Sequence, residues 1–366
     1  GMEGGILQFG TLEKGDAAGT AIFDWSGGTI QNLAATNLTI DDVDINLVNA
    51  GPQTFHIDAS QTGTLNANAI ITGAGALVKD GSGELLLNGI NTYTGTTDLD
   101  AGTLTVDGEI GNGGPAGTVT IASGATLSGG GLVNAKIAST TIGSRIVATG
   151  DLTLGDGSAT GFNFAGIFKV GNHEVTILDS NGGLLGHGTS INGGTLISDG
   201  GLSMSANNVL SGDGLIDLDE GTVAGLLAVN SGTITPGDGG DNTETLTIEG
   251  NLDFGTGLFT IDLDGISNGD LLEVKGTVDL DSASLSINSA ANLVPGSVIT
   301  IISNDDTDLV TSTFSGLPEG ATVTDGTNTY VISYTGGDGN DVVLFVGAPE
   351  TQVELTAVQT RTSAQF

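Results

Sequence analysis

The 366 residues predict an all-β fold: a right-handed parallel β-helix (β-solenoid) running as one continuous unit, with a C-terminal capping region. Three observations carry this. Glycine contributes 63 residues, without the three-residue period of collagen and with only 6 prolines. Hydrophobic residues make up 38% of the chain but aromatics only 4%, so the material available for burial is small and aliphatic. It comes in short runs punctuated by Gly, Asn and Asp, and no stretch keeps a helical stripe free of glycine. One such run encloses nothing, whereas stacked runs bury a continuous column. At roughly 20 residues per coil and ~4.8 Å per rung, the chain would form a rod about 85 Å long.

Charge narrows the partners. Forty-three acids against seven bases give a net charge of −36. The bases, Lys14, Lys79, Lys136, Arg145, Lys169, Lys275 and Arg361, are scattered. Nucleic acid and anionic lipid both need clustered cations, so neither is expected to bind. Self-repulsion favours solubility, and divalent cations or a salt-rich external medium suit such a surface. The absence of cysteine excludes disulfides, a thiol nucleophile and cysteine metal sites. No apolar run approaches the ~18 residues of a membrane span, and no signal peptide is visible. Gly1 before Met2 reads as the remnant of a cleaved tag. The expected chain is an exported fragment or mature form, monomeric, with its export signal and anchor elsewhere.

Repetition is clearest over Gly73–Val106, GAGALVKDGSGELLLNGINTYTGTTDLDAGTLTV. Alternate positions from Gly73 to Leu99 carry the pattern, which is strand periodicity. At Ala101-Gly102 the phase slips by one, and Leu104 and Val106 carry it on. Such a slip predicts a corner or bulge, where glycine tolerates the backbone angles. Shorter echoes recur at Gly117–Ile121, Gly124–Leu127, Gly194–Ile197, Gly232–Thr235 and Gly276–Leu280. Leu127–Val133 and Leu210–Ile216 form a further matching pair.

This stretch resembles the passenger-associated transport repeat, also called the autotransporter-associated β-strand repeat. The matching positions are Gly73, Gly75, Leu77, Lys79, Gly81, Gly83, Leu85, Leu87, Gly89, Asn91, Tyr93, Gly95 and Thr97, then Gly102, Leu104 and Val106. A second stretch, Ser231 to Val346, is similar to the end region of large secreted bacterial adhesin-like proteins. The resemblance implies that residues 231–346 form the last coils and cap of a single β-helix over 1–346, followed by a linker or tail at 347–366. It also implies display at the bacterial cell surface or secretion, autotransport and adhesion, with no shared catalytic site. In an autotransporter a membrane β-barrel would follow, and this chain ends at Phe366.

Candidate sites divide into metal, catalytic and repeat positions. Gly336–Val343 matches a calcium-binding nonapeptide once, so Asp338 and Asp341 are candidate ligands, although a hairpin between strands at 330–335 and 342–346 is the simpler reading. Asp305, Asp306 and Asp308 could gather oxygens around calcium, against the plainer reading of a solvated loop. Sparser acidic turns lie at Asp238–Asp241 and Asp156. No cofactor is required; calcium is the one considered. Acids alternate around a leucine at Asp98/Asp100, Asp217/Asp219, Asp262/Asp264 and Asp279/Asp281, which predicts outward carboxylates and inward Leu99, Leu218, Leu263 and Leu280. Paired carboxylates also serve glycoside hydrolysis. That chemistry wants stacking aromatics, and Trp25 is the only tryptophan. Arg145 is the candidate base of a lyase. His56, His173 and His187 lack metal spacing. Thr-x-Thr pairs (Thr103/Thr105, Thr118/Thr120, Thr233/Thr235, Thr245/Thr247, Thr322/Thr324) could form a ladder for ice or glycan. Threonine is also a favoured outward strand residue. Asn91 and Tyr93 are expected to be structural.

The expected function is a non-enzymatic, adhesin-like surface module, a rigid spacer offering loops or an acidic face to a glycan, matrix or cell-surface protein. A calcium-dependent polysaccharide lyase or hydrolase on the same scaffold is the alternative.

Overall fold

The computed structural model describes residues 1–15, 18–49, 51–111, 116–219, 225–237, 243–263, 269–289, 293–305 and 307–347. Among them there is no helix, and the chain winds as a β-solenoid of stacked parallel strands. Each coil visits three faces. The first face is a 14-stranded parallel sheet, from Ile6–Phe9 through Gly28–Asn32 and Pro52–His56 to Val310–Thr311. The second stacks Thr11–Glu13, Leu38–Asp41, Thr62–Leu65, Glu84–Leu87 and Thr103–Val106, and continues in that manner. The third begins with Ala21–Trp25, Val43–Leu47 and Ile71–Gly73. Two long strands, Gly188–Ile197 and Val209–Asp217, run round the corner between the second and third faces and pair along both.

Period-two patterning explains why these segments are strands. In Val43–Leu47 and Leu258–Leu263 alternate side chains turn inward and are buried. Inward residues then stack between coils, as Ile30 on Phe55 and Ile40 on Leu65 do. Aromatics collect in local clusters: Trp25 meets Phe55 edge-on at 5.1 Å, Phe162, Phe164 and Phe168 cluster, and Phe254 and Phe259 pack on Phe314.

The rod is shorter than the sequence suggested. Ile137 stacks on Val119, but Val310 stacks on Val278, so one turn takes from 18 to 32 residues. Fourteen rungs at ~4.8 Å span about 60 Å. The longest coil lies at the C-terminal end, where Val298–Asn304 finishes the parallel stack on Leu271–Val274 and begins an antiparallel return. Val298–Asn304 pairs antiparallel with Asp341–Val346, which pairs antiparallel with Thr329–Gly336, which pairs with Thr322–Thr324. This small antiparallel sheet turns the strand direction against the stack and covers its last third-face strand.

Candidate functional site

The repeat coil shows why its sequence is so constrained. Its strands are Ala76–Asp80, Glu84–Leu87 and Ile90–Asn91, one per face. Leu77, Leu85, Leu87, Leu104 and Val106 are fully buried. The glycines stand at the three corners, where successive coils approach backbone to backbone. A Cβ on Gly95 would lie 1.9 Å from the Gly75 carbonyl oxygen, and one on Gly102 would lie 2.3 Å from that of Gly83. Gly89 is stacked in the same way under Gly108, at 2.2 Å. Gly102, where the phase slips, has φ +69, as a corner requires. Gly73 and Gly81 occupy the corners before and after the first strand.

Polar repeat residues point inward and bind backbone. Asn91 is fully buried; its Oδ1 accepts from the Ile71 N–H at 2.8 Å, and its Nδ2 donates to the Gly89 and Glu109 carbonyls at 2.9 and 3.0 Å. It therefore ties three coils together. The buried Tyr93 hydroxyl lies 2.6 Å from Thr97 Oγ1, and burial pushes its pKa up despite that hydrogen bond. The unexpected member is Lys79. It occupies the inward column between Phe55 and Leu99 and is fully buried. Its Nζ donates to the carbonyls of Asp80, Gly81 and Ala101 at 2.9, 2.8 and 3.1 Å, so every ammonium hydrogen has an acceptor. Its sequence position, in phase with Leu77, was the signal for this.

On the outside of the first face, His56 is held between two acids, Nδ1 at 2.9 Å from Asp80 and Nε2 at 3.5 Å from Asp58. The His56 hydrogen bond keeps the Asp80 carboxyl below its usual range. Partial burial, then the neighbouring Asp98 and Asp80, pushes Asp100 up. The alternating pairs are arranged as their spacing implied: Leu99, Leu218, Leu263 and Leu280 are buried, leaving the acids outside, while Asp264 lies outside the described residues. Trp25 is buried in the core and offers no stacking platform. Arg145 is exposed, and no ion pair joins it to an acid among the described residues.

The two acidic loops, far apart in sequence, meet at the cap. Asp341 Oδ1 accepts from the Asn304 N–H at 3.0 Å, and Asn340 Nδ2 donates to the Asp305 and Asp308 carbonyls at 3.1 and 2.7 Å. Asn304 Nδ2 adds a bond of 2.8 Å to the Asp308 carbonyl. The Gly336–Asp341 turn is a hairpin between Thr329–Gly336 and Asp341–Val346, and Asp338 at its tip is exposed. Asp306 lies outside the described residues, as do Asp238 and Asp241. Among the described residues no three acidic or histidine side chains converge as metal ligands would.

A polar network missed by sequence reasoning supports the cap. Asp325 accepts from the Tyr330 hydroxyl at 2.5 Å, Asn328 Nδ2 at 3.0 Å and the Thr327 and Asn328 N–H groups. Burial opposes ionisation there, but these donors outweigh it and hold the carboxyl at about 2. With a folded pKa of about 2 and an ordinary value of 3.8, this carboxylate stabilises fully above pH 3.8 and loses its contribution as pH falls towards 2. Asp325→Ala is expected to cost about 1–2 kcal/mol at pH 7, after discounting for partial exposure. Denaturation of both proteins across pH 2–7 checks this: the gap must narrow below pH 3.8.

Threonine and serine recur in one column of the second face, where Thr105 and Ser128 are buried and bonded to Glu84 and the Val147 carbonyl. Stacking joins Thr11, Thr39 and Thr64, then Thr105 and Ser128, then Ser190, Ser211 and Thr235, with Leu86, Val147 and Lys169 as interruptions. Beside it Thr103 stacks on Thr126, but Glu84 and Arg145 flank them, so no second unbroken column forms. Thr118/Thr120 and Thr245/Thr247 sit on other faces, and Thr322/Thr324 on the cap.

No helix of the described residues is long and apolar enough to cross a membrane. Comparison with known proteins adds a family and a relative. The chain is 30% identical over 184 residues to the adhesin BmaC autotransporter of Brucella suis biovar 1 (strain 1330), a match covering 48% of this chain and 5% of that protein. Residues 77–106, the coil built around Lys79, Asn91 and Tyr93, match the passenger-associated-transport-repeat family.

Proposed function

We propose that the chain is an exported, adhesin-like surface module: a rigid, non-catalytic spacer that presents its outer ladders to a glycan, matrix component or cell-surface protein. The observation that carries this reading is the uninterrupted parallel stack containing a passenger repeat, together with similarity to an autotransporter adhesin. Inward positions are committed to packing, so recognition falls to outward residues and corner loops. There two runs of the second face, Thr11, Thr39 and Thr64 and then Ser190, Ser211 and Thr235, offer outward hydroxyls at rung spacing, with Glu13 and Asp41 beside the first. Solenoid architecture suits such a role because a local contact needs no domain motion and length is set by coil number.

The test is adhesion by the purified chain. Beads coated with it should bind a glycan array, immobilised matrix proteins or a cultured cell layer saturably, and the chain in solution should compete. An acidic contact surface predicts loss of binding as salt is raised beyond 0.15 M. Binding no greater than that of beads bearing an unrelated acidic protein would sink the proposal. Release of oligosaccharides from any polysaccharide would replace it with the enzymatic reading.

A further inference from the structure

We propose that the N-terminal end face is an acceptor for one further parallel coil, delivered by polypeptide running into Met2. The two ends of the solenoid are built differently. At the C-terminal end the last third-face strand, Val298–Asn304, is covered by the antiparallel Asp341–Val346, and Phe314 and Tyr334 are buried over the core, whereas Ile6–Phe9, Thr11–Glu13 and Ala21–Trp25 pair with a full strand on one side only. The core is unfinished above them. Leu7, Leu12 and Phe23 are only half-buried, yet the residues stacked on them one coil later, Ile30, Ile40 and Ile45, are fully buried. Edge strands are usually blunted by proline, a bulge or inward charge, and ILQF and AIFDW carry none of these on their inward positions.

The missing coil has already begun. Met2 forms a parallel bridge with Trp25: its N–H donates to the Asp24 carbonyl at 2.9 Å, and its carbonyl accepts from the Ser26 N–H at 2.8 Å. This is the ladder that joins Trp25 to Leu47 one coil further on. The corner matches too, since Met2 precedes Ile6 by the interval at which Trp25 precedes Thr29, and Ile6 stacks on Thr29. Residues 1–3 thus hold the end of the third-face strand of a coil whose other strands would cover Leu7, Leu12 and Phe23. A second copy of the chain approaching this face would meet residues 1–3 in its way. The occupant that fits without displacing them is the segment covalently joined to them, with strands for three faces and aliphatic inward residues.

The test extends the chain by a coil of its own making. Gly1 is replaced by a second copy of residues 28–46, which places Met2 where Leu47 stands in the original. Amide hydrogen exchange in 6–13 and 21–25 is expected to slow at least tenfold, and the melting temperature to rise. A control extension carrying Ile30→Asp, Ile40→Asp and Ile45→Asp in the added copy should exchange like the parent. Unchanged exchange in 6–25, with the added copy itself unprotected, would overturn the proposal. So would parent chains that dimerise on sedimentation and protect 6–25 as concentration rises, because that would assign the face to a second copy.

Discussion

Gly95→Val is expected to unfold the repeat coil, at a cost of about 3–5 kcal/mol. The reason is geometric. A Cβ at this position would sit 1.9 Å from the Gly75 carbonyl oxygen and 2.4 Å from its carbon, and both are backbone atoms. A flexible side chain could swing away, but a backbone carbonyl stacked between coils cannot move without breaking the parallel ladder. The same column repeats below, where a Cβ on Gly75 would meet the Asn49 carbonyl at 2.4 Å. Damage should therefore spread to the coils on either side, as expected when each coil is stabilised chiefly by its neighbours. Gly188 provides the contrast: nothing lies within 4 Å of its would-be Cβ. Gly188→Val should change stability by less than about 0.5 kcal/mol. Denaturant unfolding, paired with exchange measured coil by coil, separates the two. Equal stabilities for the variants would mean that corner glycines are not selected by close approach.

Much of this was legible in the sequence because the signals were local. Alternation of Leu77, Leu85 and Leu87 sets which side chains face in, and the phase slip at Gly102 marks a corner by itself. The flanking of Leu99 and Leu280 by acids likewise fixes their direction. What could not be read was anything that depends on stacking between coils of unequal length. Thr11, Thr39 and Thr64 look unrelated in sequence, and their alignment follows only from the length of each turn. Asn340 and Asp308 are similarly brought together by the antiparallel return of the cap. Rod length failed for the same reason, since coil length varies along the chain and the coils nearest the C-terminus are longer than the repeat near residue 77. Lys79 lies between these cases. Its phase placed it inside, yet charge alone would have put it outside, and only the three carbonyls at the corner reconcile the two.

That burial makes Lys79 a reporter of folding at alkaline pH. Desolvation lowers its pKa from 10.5 to about 8, against the upward pull of the Asp80 carboxylate. Between these values the unfolded chain binds the proton and the folded chain does not, so stability rises with pH through the window; below about 8 both states are protonated and the penalty is constant. Relative to Lys79→Met, which has no titrating group, the native protein should gain about 3 kcal/mol between pH 7.5 and 10.5. Other ionisations, including the buried tyrosines, are common to both proteins and cancel in the difference. Lys79→Arg sharpens the test, because guanidinium stays charged over this range and should show no such gain relative to the methionine variant. A flat difference for native Lys79 would mean that the three carbonyls hold the ammonium as strongly as water does. The repeat's lysine would then be a permanent ionic staple, with its aliphatic stem filling the column between Phe55 and Leu99 and its charge spent entirely on the corner.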